Sequence, residues 1–434
     1  MKRKLLTGNA AAAWGARLSQ IDYVPACPIT PQTEVIETLA AWIDRKEMKA
    51  RMTTMESEHS MITAAAAAAI TGARVFTATS SQGLLYAMEM LYTVSGWRAP
   101  FVLVNVSRGL ASPITLEPDH NDVLAARDSG FLQIHCSTCQ EVLDSILIAY
   151  RLGENPKVRL PVLVNLDGFY LSFTREPVDI PGEKSIKEFL PPFEIGEIGQ
   201  TGFMASAPLS QAVAVLGGGP YSYFRYETHL AAMQALEQYD NVAKEFEKIF
   251  HRNYEAVESY RCEDAEIVFL MIGSFATKAK EAADRLRDGG RAVGLIRPRL
   301  LRPFPEKQIG LALKGKRGVA VIDQNISMGK GGILYNEICS LLYKLNMKEE
   351  PPVALSFIGG LGGRDIALEE FYEMAKVTLD TLQTKVVPPP RLLYTAEEFK
   401  QIKKLQVIAH TQTAPENLQT EIKSKGENRD GTAL

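Results

Sequence analysis

Cysteine is scarce in this chain: five among 434 residues, at 27, 136, 139, 262 and 339, an odd number spread over a long sequence. Such usage excludes the disulfide framework of a small secreted domain. Long apolar runs are missing too, and nothing approaches the roughly 18 residues that span a bilayer. The start, Met1-Lys2-Arg3-Lys4-Leu5-Leu6-Thr7, is basic but has no apolar leader core. The expectation is a cytoplasmic protein in a reducing compartment. Charge of one sign is also lacking. With 48 basic and 51 acidic residues the net charge is −3, which gives no support for a nucleic-acid partner.

Three tempting motifs are incomplete. Cys136-Ser137-Thr138-Cys139 has the spacing of a metal-binding pair, but no second pair accompanies it. Gly329-Lys330-Gly331-Gly332 resembles a phosphate loop, yet Gln324 stands where the first glycine belongs and no Ser or Thr follows the lysine. Gly359-Gly360-Leu361-Gly362-Gly363-Arg364 follows an apolar strand and suits a turn or helix start, but it does not fit the dinucleotide fingerprint.

What is present is an ordinary globular composition, 46% hydrophobic and 23% charged. The length suits about two to four domains. To about residue 205, apolar strands alternate with helical stretches. Val75–Thr79, Phe101–Val106 and Leu160–Asn165 read as buried strands, and Glu141–Leu152 as a helix. This alternation predicts a parallel sheet covered on both faces. From 207 to 262 the rhythm breaks at Gly217-Gly218-Gly219-Pro220 and three tyrosines, after which Leu230–Phe250 reads as a charged amphipathic helix. The segment is expected to be a bridge ordered by its aromatics. A second α/β unit follows, with strands at Ile267–Gly273, Ala292–Ile296, Gly318–Ile322 and Val353–Phe357 and a helix, Ala276–Arg287, that Gly289-Gly290 stops. Beyond Pro388-Pro389-Pro390 come a short helical piece and a polar tail from Thr411, expected to be mobile.

The feature with most chemical content is Cys27-Pro28-Ile29-Thr30-Pro31. Each proline fixes its own φ and keeps the preceding residue out of the helical region, and a helical pattern begins at Gln32. Such an elbow presents a hydroxyl and backbone N–H groups to an anion; equally, Thr30 is a cap. In Met55-Glu56-Ser57-Glu58, before the six alanines Ala64–Ala69, the carboxylates are either helix-start charges or one is buried against a ligand. Arg108 follows an apolar strand, where ligands of α/β sheets bind, and suits either a carboxylate or a surface ion pair. In Asp119-His120-Asn121-Asp122, one of Asp119, Asn121 and Asp122 suits a helix N-cap. His120 reads better as part of that capping segment than as an acid–base group.

Read in order, Gly8-Asn9, Pro28-Ile29-Thr30-Pro31, Met55-Glu56-Ser57-Glu58, Thr79-Ser80-Ser81-Gln82-Gly83-Leu84, Arg108, Asp119-His120-Asn121-Asp122, Ala125–Gly130 and Asp167-Gly168-Phe169 form a series. In this series the chain resembles the alpha subunit of the 2-oxoacid:ferredoxin oxidoreductases, the pyruvate:ferredoxin oxidoreductase family. Glu263-Asp264-Ala265-Glu266 and Arg297–Pro305 resemble its second domain. The likeness covers roughly residues 5 to 385, as a set rather than motif by motif.

The resemblance implies an α/β fold with two parallel-sheet domains. These are a pyrimidine-binding-type thiamine diphosphate domain (1–206), a bridging segment (207–262), a transketolase-C-terminal-like domain (263–385) and a C-terminal extension (386–434). It implies oxidative decarboxylation of a 2-oxoacid to acyl-CoA and CO2, with pyruvate the default substrate. By carry-over, Glu58, rather than Glu56, hydrogen-bonds the cofactor's aminopyrimidine and favours the tautomer that deprotonates its reactive carbon. Thr79, Ser80, Ser81, Gln82 and Gly83 line the cofactor pocket. Thr30 and Arg108 bind the substrate carboxylate and ketone, with Cys27 beside them.

Thiamine enzymes hold Mg²⁺ and the diphosphate with Gly-Asp-Gly, which does not occur here. The resemblance therefore implies a beta subunit bringing the diphosphate site, Mg²⁺ and an iron–sulfur cluster. It further implies gamma and ferredoxin-like delta subunits or equivalents, coenzyme A as co-substrate, ferredoxin or another acceptor, and a dimer of heteromers. No nucleic acid or membrane is implied. Family members usually have Tyr where Cys27 stands, so a roomier pocket admitting an aryl or branched 2-oxoacid such as phenylglyoxylate is a second expectation. Against it stands Cys27 as a small buried hydrophobe without influence on selectivity. A non-catalytic scaffold paralogue and a complete transketolase-like enzyme are the other readings. The first is disfavoured by the presence of Thr30, Glu58 and Arg108, the second by the missing Gly-Asp-Gly.

Overall fold

The computed structural model describes residues 2–193, 216–345 and 350–413. Residues up to Arg391 form one compact unit, and a second starts at Leu392. The first half runs β1 (Lys2–Thr7), α1 (Gly8–Leu18), β2 (Tyr23–Ala26), α2 (Thr33–Asp44), β3 (Arg51–Thr54), α3 (Glu58–Ala69), β4 (Phe76–Thr79), α4 (Gln82–Tyr86) and α5 (Met88–Gly96). It continues through β5 (Val102–Ser107), α6 (Asn121–Ala125), β6 (Leu132–His135), α7 (Cys139–Gly153), β7 (Val162–Asp167), β8 (Arg175–Ile180) and α8 (Glu183–Phe189) to the long α9 (Gly218–Phe250). Then follow β9 (Val257–Tyr260), β10 (Ile267–Leu270), α10 (Ala276–Asp288), β11 (Val293–Pro298), β12 (Leu300–Arg302), α11 (Glu306–Leu313), β13 (Gly318–Asp323), α12 (Ile333–Leu345), β14 (Val353–Ile358) and α13 (Leu368–Thr384). The second unit contains α14 (Ala396–Thr413). Residues 207–215 of the expected bridge and the polar tail beyond 413 lie outside the described residues.

The fold is α/β with two largely parallel sheets. The first has the order β12-β6-β7-β5-β4, with only β12 antiparallel. The second runs β14-β13-β10-β11-β9 within the first unit, with only β9 antiparallel. β5 (Val-Leu-Val-Asn-Val-Ser) and β7 (Val-Leu-Val-Asn-Leu-Asp) are buried at every position, as strands covered on both faces must be. Among the described residues no helix is long and apolar enough to cross a membrane.

The helix of the bridge begins at Gly218, earlier than the expected Leu230. Its first aromatics, Tyr221, Tyr223, Phe224 and Tyr226, are exposed and do not order it. Its second half does: Tyr239, Phe246 and Phe250 are buried in the first core, and Phe189 meets Phe246 and Phe250 edge-on.

The two sheets are joined by charge as well as by apolar packing. The Arg297–Pro305 stretch contributes β12, which leaves the second half and pairs with β6, Leu300 opposite Ile134. Arg297, fully buried, donates to Glu141 at 2.8 Å, to Glu258 at 2.7 Å and to the His135 carbonyl at 3.2 Å. Arg299 donates to Glu141 and to the Glu255 carbonyl. The other oxygen of Glu141 accepts from the Ser137 backbone N–H at 2.7 Å and its hydroxyl at 2.8 Å. Burial would raise the Glu141 pKa, but the two arginines outweigh it and hold the group below the ordinary carboxylate range. Because the folded pKa is depressed, this contribution is present above the unfolded value of about 4.3. It is lost as pH falls through the folded value. We therefore expect Glu141→Gln to destabilise the chain by about 3–5 kcal/mol in denaturant titrations, since it leaves two buried arginines short of a counter-charge. The variant should also lose the share of acid sensitivity owed to Glu141, while Glu258, likewise depressed, keeps its own.

Candidate active site

The parallel strands of the first sheet end in a row of polar side chains. Register places Thr79 of β4 opposite Asn105 of β5, Asn105 opposite Asn165 of β7, and Asn165 opposite His135 of β6. Asn105 donates to Asn165 at 2.8 Å. Burial, with His120 adjacent, pushes His135 down to about 3, so its ring is neutral. This carboxyl-end row is where open α/β sheets bind ligands.

The turn after β4 carries the first group of candidates. Ser81 has φ 48° and ψ −117°, a conformation that a serine adopts only under constraint. Asp122 supplies the constraint, accepting the Ser81 N–H at 3.0 Å, while the Ser81 hydroxyl donates to the Gly109 carbonyl at 2.9 Å. A Cβ at Gly83 would stand 2.5 Å from both a Glu58 carboxylate oxygen and the Thr79 hydroxyl. Only glycine lets the backbone approach Glu58 this closely. The buried Thr79 hydroxyl, Ser80 hydroxyl and Gln82 amide nitrogen have no hydrogen-bond partner. Unpaired buried polar groups are costly, and three on one turn mark a surface built for a ligand.

Glu58 opens α3 behind the N-cap Ser57 and is buried at 8% exposure. Glu56, by contrast, is exposed and bonds Ser60, whose hydroxyl lowers its pKa. The two carboxylates thus divide, Glu56 to the helix start and Glu58 inward. Burial, with the Glu58 carboxylate nearby, pushes the Cys27 thiol up to about 11. The thiol therefore stays protonated at neutral pH.

Arg108, nearly buried, links the second group. It donates to the Thr30 carbonyl at 2.7 Å and to the Gln82 side-chain oxygen, leaving Nε without a partner. Thr30 itself is exposed, and its hydroxyl caps nothing: Gln32 stands at the N-cap of α2. Behind the elbow, buried Asn9 donates to the Pro31 carbonyl at 2.8 Å.

The capping expectation for 119–122 needs correction. His120 occupies the N-cap of α6 without a side-chain cap bond, and the Asp119 carboxylate accepts the Asn121 N–H, at 2.9 Å, rather than capping the helix. Asp122 is instead a fully buried hub. It accepts from Ser107 Oγ at 2.6 Å, Val123 N at 2.7 Å, Ser81 N at 3.0 Å, Asn105 Nδ2 at 3.1 Å and Arg108 N at 3.2 Å. Burial raises its pKa in spite of these donors. His120, fully buried, donates from Nε2 to Asp167 at 2.7 Å. Local capping rules hid these roles. Asn105 and Ser107, polar residues inside an apolar strand, were the available signal.

The incomplete motifs have structural explanations. Cys136 and Cys139 are buried, which raises both thiol pKa values far above the ordinary value. The glycine loop before α12 meets Asp323, whose carboxylate accepts the Leu334 and Tyr335 N–H groups at 2.7 and 3.1 Å. Those N–H groups at the helix start are thus already satisfied by an internal carboxyl group, whose pKa burial pushes up to about 7. Among the described residues no group of three His, Cys, Asp or Glu side chains is placed to hold a metal ion.

Residues 15–250 match the family model described as pyruvate flavodoxin/ferredoxin oxidoreductase, thiamine diphosphate-binding, and residues 265–371 that of pyruvate:ferredoxin oxidoreductase core domain II. Pyruvate synthase subunit PorA of Methanothermobacter thermautotrophicus is 41% identical over 378 residues, 87% of this chain and 96% of the relative. Ketoisovalerate oxidoreductase subunit VorA of Pyrococcus horikoshii is 37% identical over 86% of this chain and 93% of its own. The 2-oxoglutarate:ferredoxin oxidoreductase of Magnetococcus marinus, solved with 2-oxoglutarate, coenzyme A and succinyl-CoA bound, shares the fold. It has TM-score 0.65 and 19% identity over 86% of this chain, and this chain covers 65% of that one. Two consecutive family models and close relatives that it matches nearly end to end place this chain in the pyruvate:ferredoxin oxidoreductase family.

Proposed function

We propose that this chain is the alpha subunit of a multi-subunit 2-oxoacid:acceptor oxidoreductase that converts a 2-oxoacid and coenzyme A to acyl-CoA and CO2, with pyruvate the default substrate. The observation that carries this reading is the juxtaposition of buried Glu58 with Gly83 and the three unpartnered polar atoms of the 79–83 turn. These residues fit an aminopyrimidine, whose ring nitrogens and amino group need a carboxylate and backbone or hydroxyl partners. Bound thiamine diphosphate supplies a carbon nucleophile for the ketone and an electron sink for decarboxylation.

Glu58, Thr79, Ser80, Ser81, Gln82 and Gly83 form the chain's share of the cofactor site. Glu58 holds a proton between its carboxylate and the aminopyrimidine. Arg108 and Thr30 bind the substrate carboxylate and ketone. The guanidinium is oriented in advance by the Thr30 carbonyl and Gln82, so little ordering remains when substrate arrives. Partner subunits supply the rest: a beta subunit with Mg²⁺, the diphosphate site and an iron–sulfur cluster, and gamma and ferredoxin-like delta subunits or equivalents. The assembly is a dimer of heteromers in the cytoplasm, with ferredoxin or another acceptor taking the electrons. The domain division at 206, 262 and 385 belongs to the same proposal.

A bulkier aryl or branched substrate is the second reading. Two observations favour it: the small Cys27 side chain lies against Glu58, and a ketoisovalerate oxidoreductase subunit is among the relatives.

In the assembled complex, Glu58→Gln should abolish turnover while leaving assembly intact; full activity removes Glu58 from the mechanism. Gly83→Ala pushes a methyl into Glu58 and Thr79 and should cost about 100-fold in kcat. Weaker thiamine diphosphate binding, read by titration of the cofactor-stripped complex, should accompany it. Assays with pyruvate, 2-oxoisovalerate and phenylglyoxylate decide the substrate: a clear preference for pyruvate removes the roomier-pocket reading.

A further inference from the structure

The loops after the parallel strands of the second sheet converge on the segment that carries Asp122. After β14, the Gly363 N–H donates to the Pro118 carbonyl at 2.8 Å. After β13, the Gln324 carbonyl accepts the His120 N–H at 2.8 Å, and the Ile326 N–H donates to Asn121 Oδ1 at 3.1 Å. After β10, Ser274 donates to Asp167 Oδ2 through its N–H at 2.8 Å and its hydroxyl at 2.5 Å. The other oxygen of Asp167 accepts from His120. Gly273, at φ +81°, fits against this joint, since a Cβ there would stand 2.7 Å from the His120 ring and 3.0 Å from Asp167. His120 and Asp167 are wholly buried, so solvent does not share this bond.

On the other face of the same segment, Asp122 holds the Ser81 and Arg108 backbone N–H groups and the side chains of Asn105 and Ser107. Residues 118–122 are thus fastened to the second sheet on one side and to the Arg108 and 79–83 elements on the other. The geometry points to His120 and Asp167 as positioning residues for the reaction: their bond, braced by Ser274, sets the Asp122 carboxylate, and through it the placement of Arg108 and of the strained Ser81 turn. They touch neither substrate nor cofactor. The second domain thereby takes part in 2-oxoacid recognition without lining the pocket.

The inference rests on the assignment of Arg108 and the 79–83 turn to substrate and cofactor, and its test separates the two. In the assembled holoenzyme, His120→Ala and Asp167→Asn should raise the KM for the 2-oxoacid by about tenfold or more, the scale of a lost hydrogen bond to a charged group. The KM for coenzyme A should stay within about twofold. His120→Gln, which keeps a donor at the Nε2 position, should recover the KM to within about threefold of the parent. Ser274→Ala, which removes one of two donors to Asp167 Oδ2, should raise it by about threefold with assembly intact, and decides the matter where the larger changes prevent assembly. Parent KM values in folded, assembled variants, or a lowered Tm with unchanged KM, overturn the positioning role. Arg108→Ala and Gly83→Ala run in parallel isolate the underlying assignment: full activity with parent KM in both removes that reading, whereas their impairment beside unaltered His120 and Asp167 variants removes only the positioning role.

Discussion

The geometry of the site depends on one carboxylate. Asp122 gathers five donors from β5, the Ser81 turn, Arg108 and its own helix within a volume closed to water. A buried carboxylate is costly unless its oxygens are satisfied, so the elements that supply donors cannot drift without exposing that cost. Ser81 shows the consequence. Its strained backbone persists because its N–H is committed to Asp122 and its hydroxyl to Gly109. The turn in turn presents Gly83 to Glu58 and Gln82 to Arg108. Two candidate groups that are far apart in sequence become one site through a residue with no direct chemical role.

The strands that could be read from the sequence are those the fold buries on both sides. β4, β5, β7, β10, β11, β13 and β14 are mostly apolar runs broken by a few polar residues, and their positions follow within a few residues. The unread strands are short, polar or at edges. Arg51-Met52-Thr53-Thr54 is almost wholly exposed, and its pairing with β2 is set by tertiary contact. β12 is the clearest case. Nothing local in Leu300-Leu301-Arg302 says that it joins the other half's sheet, because the reason lies in Arg297, Arg299 and their buried partner Glu141, more than a hundred residues away.

The site divides along the same line. Thr30, Glu58, Arg108 and the 79–83 turn stand in short segments with distinctive composition, so their pattern could be read as a set. His120 and Asp122 could not, because capping rules describe the four residues around a helix start, whereas the partners of these two come from five different strands and loops. Cys27 falls between. Its small size was visible, but its position beside Glu58 follows from the pairing of β2 with β3, which brings Ala26 level with Thr54 and so the two following segments together.

The joint between the sheets uses ion pairs where apolar packing would serve stability as well. Taking charges out of water costs several kcal/mol each, and a buried pair often contributes no more than a well-packed hydrophobic substitute. What it adds is discrimination. Apolar surfaces slide over one another at little cost, but displacing His120 from Asp167, or Arg297 from Glu141, leaves an unpaired buried charge. Penalties of that size select one relative placement of the two sheets. The site proposed here needs such a placement, because Arg108 and the Ser81 turn are held through Asp122 by a segment that is itself fastened to the second sheet. Misplacement by about 1 Å costs on the order of 100-fold in rate. The charges between the sheets are best understood as fixing position, with stability left to the apolar cores on either side.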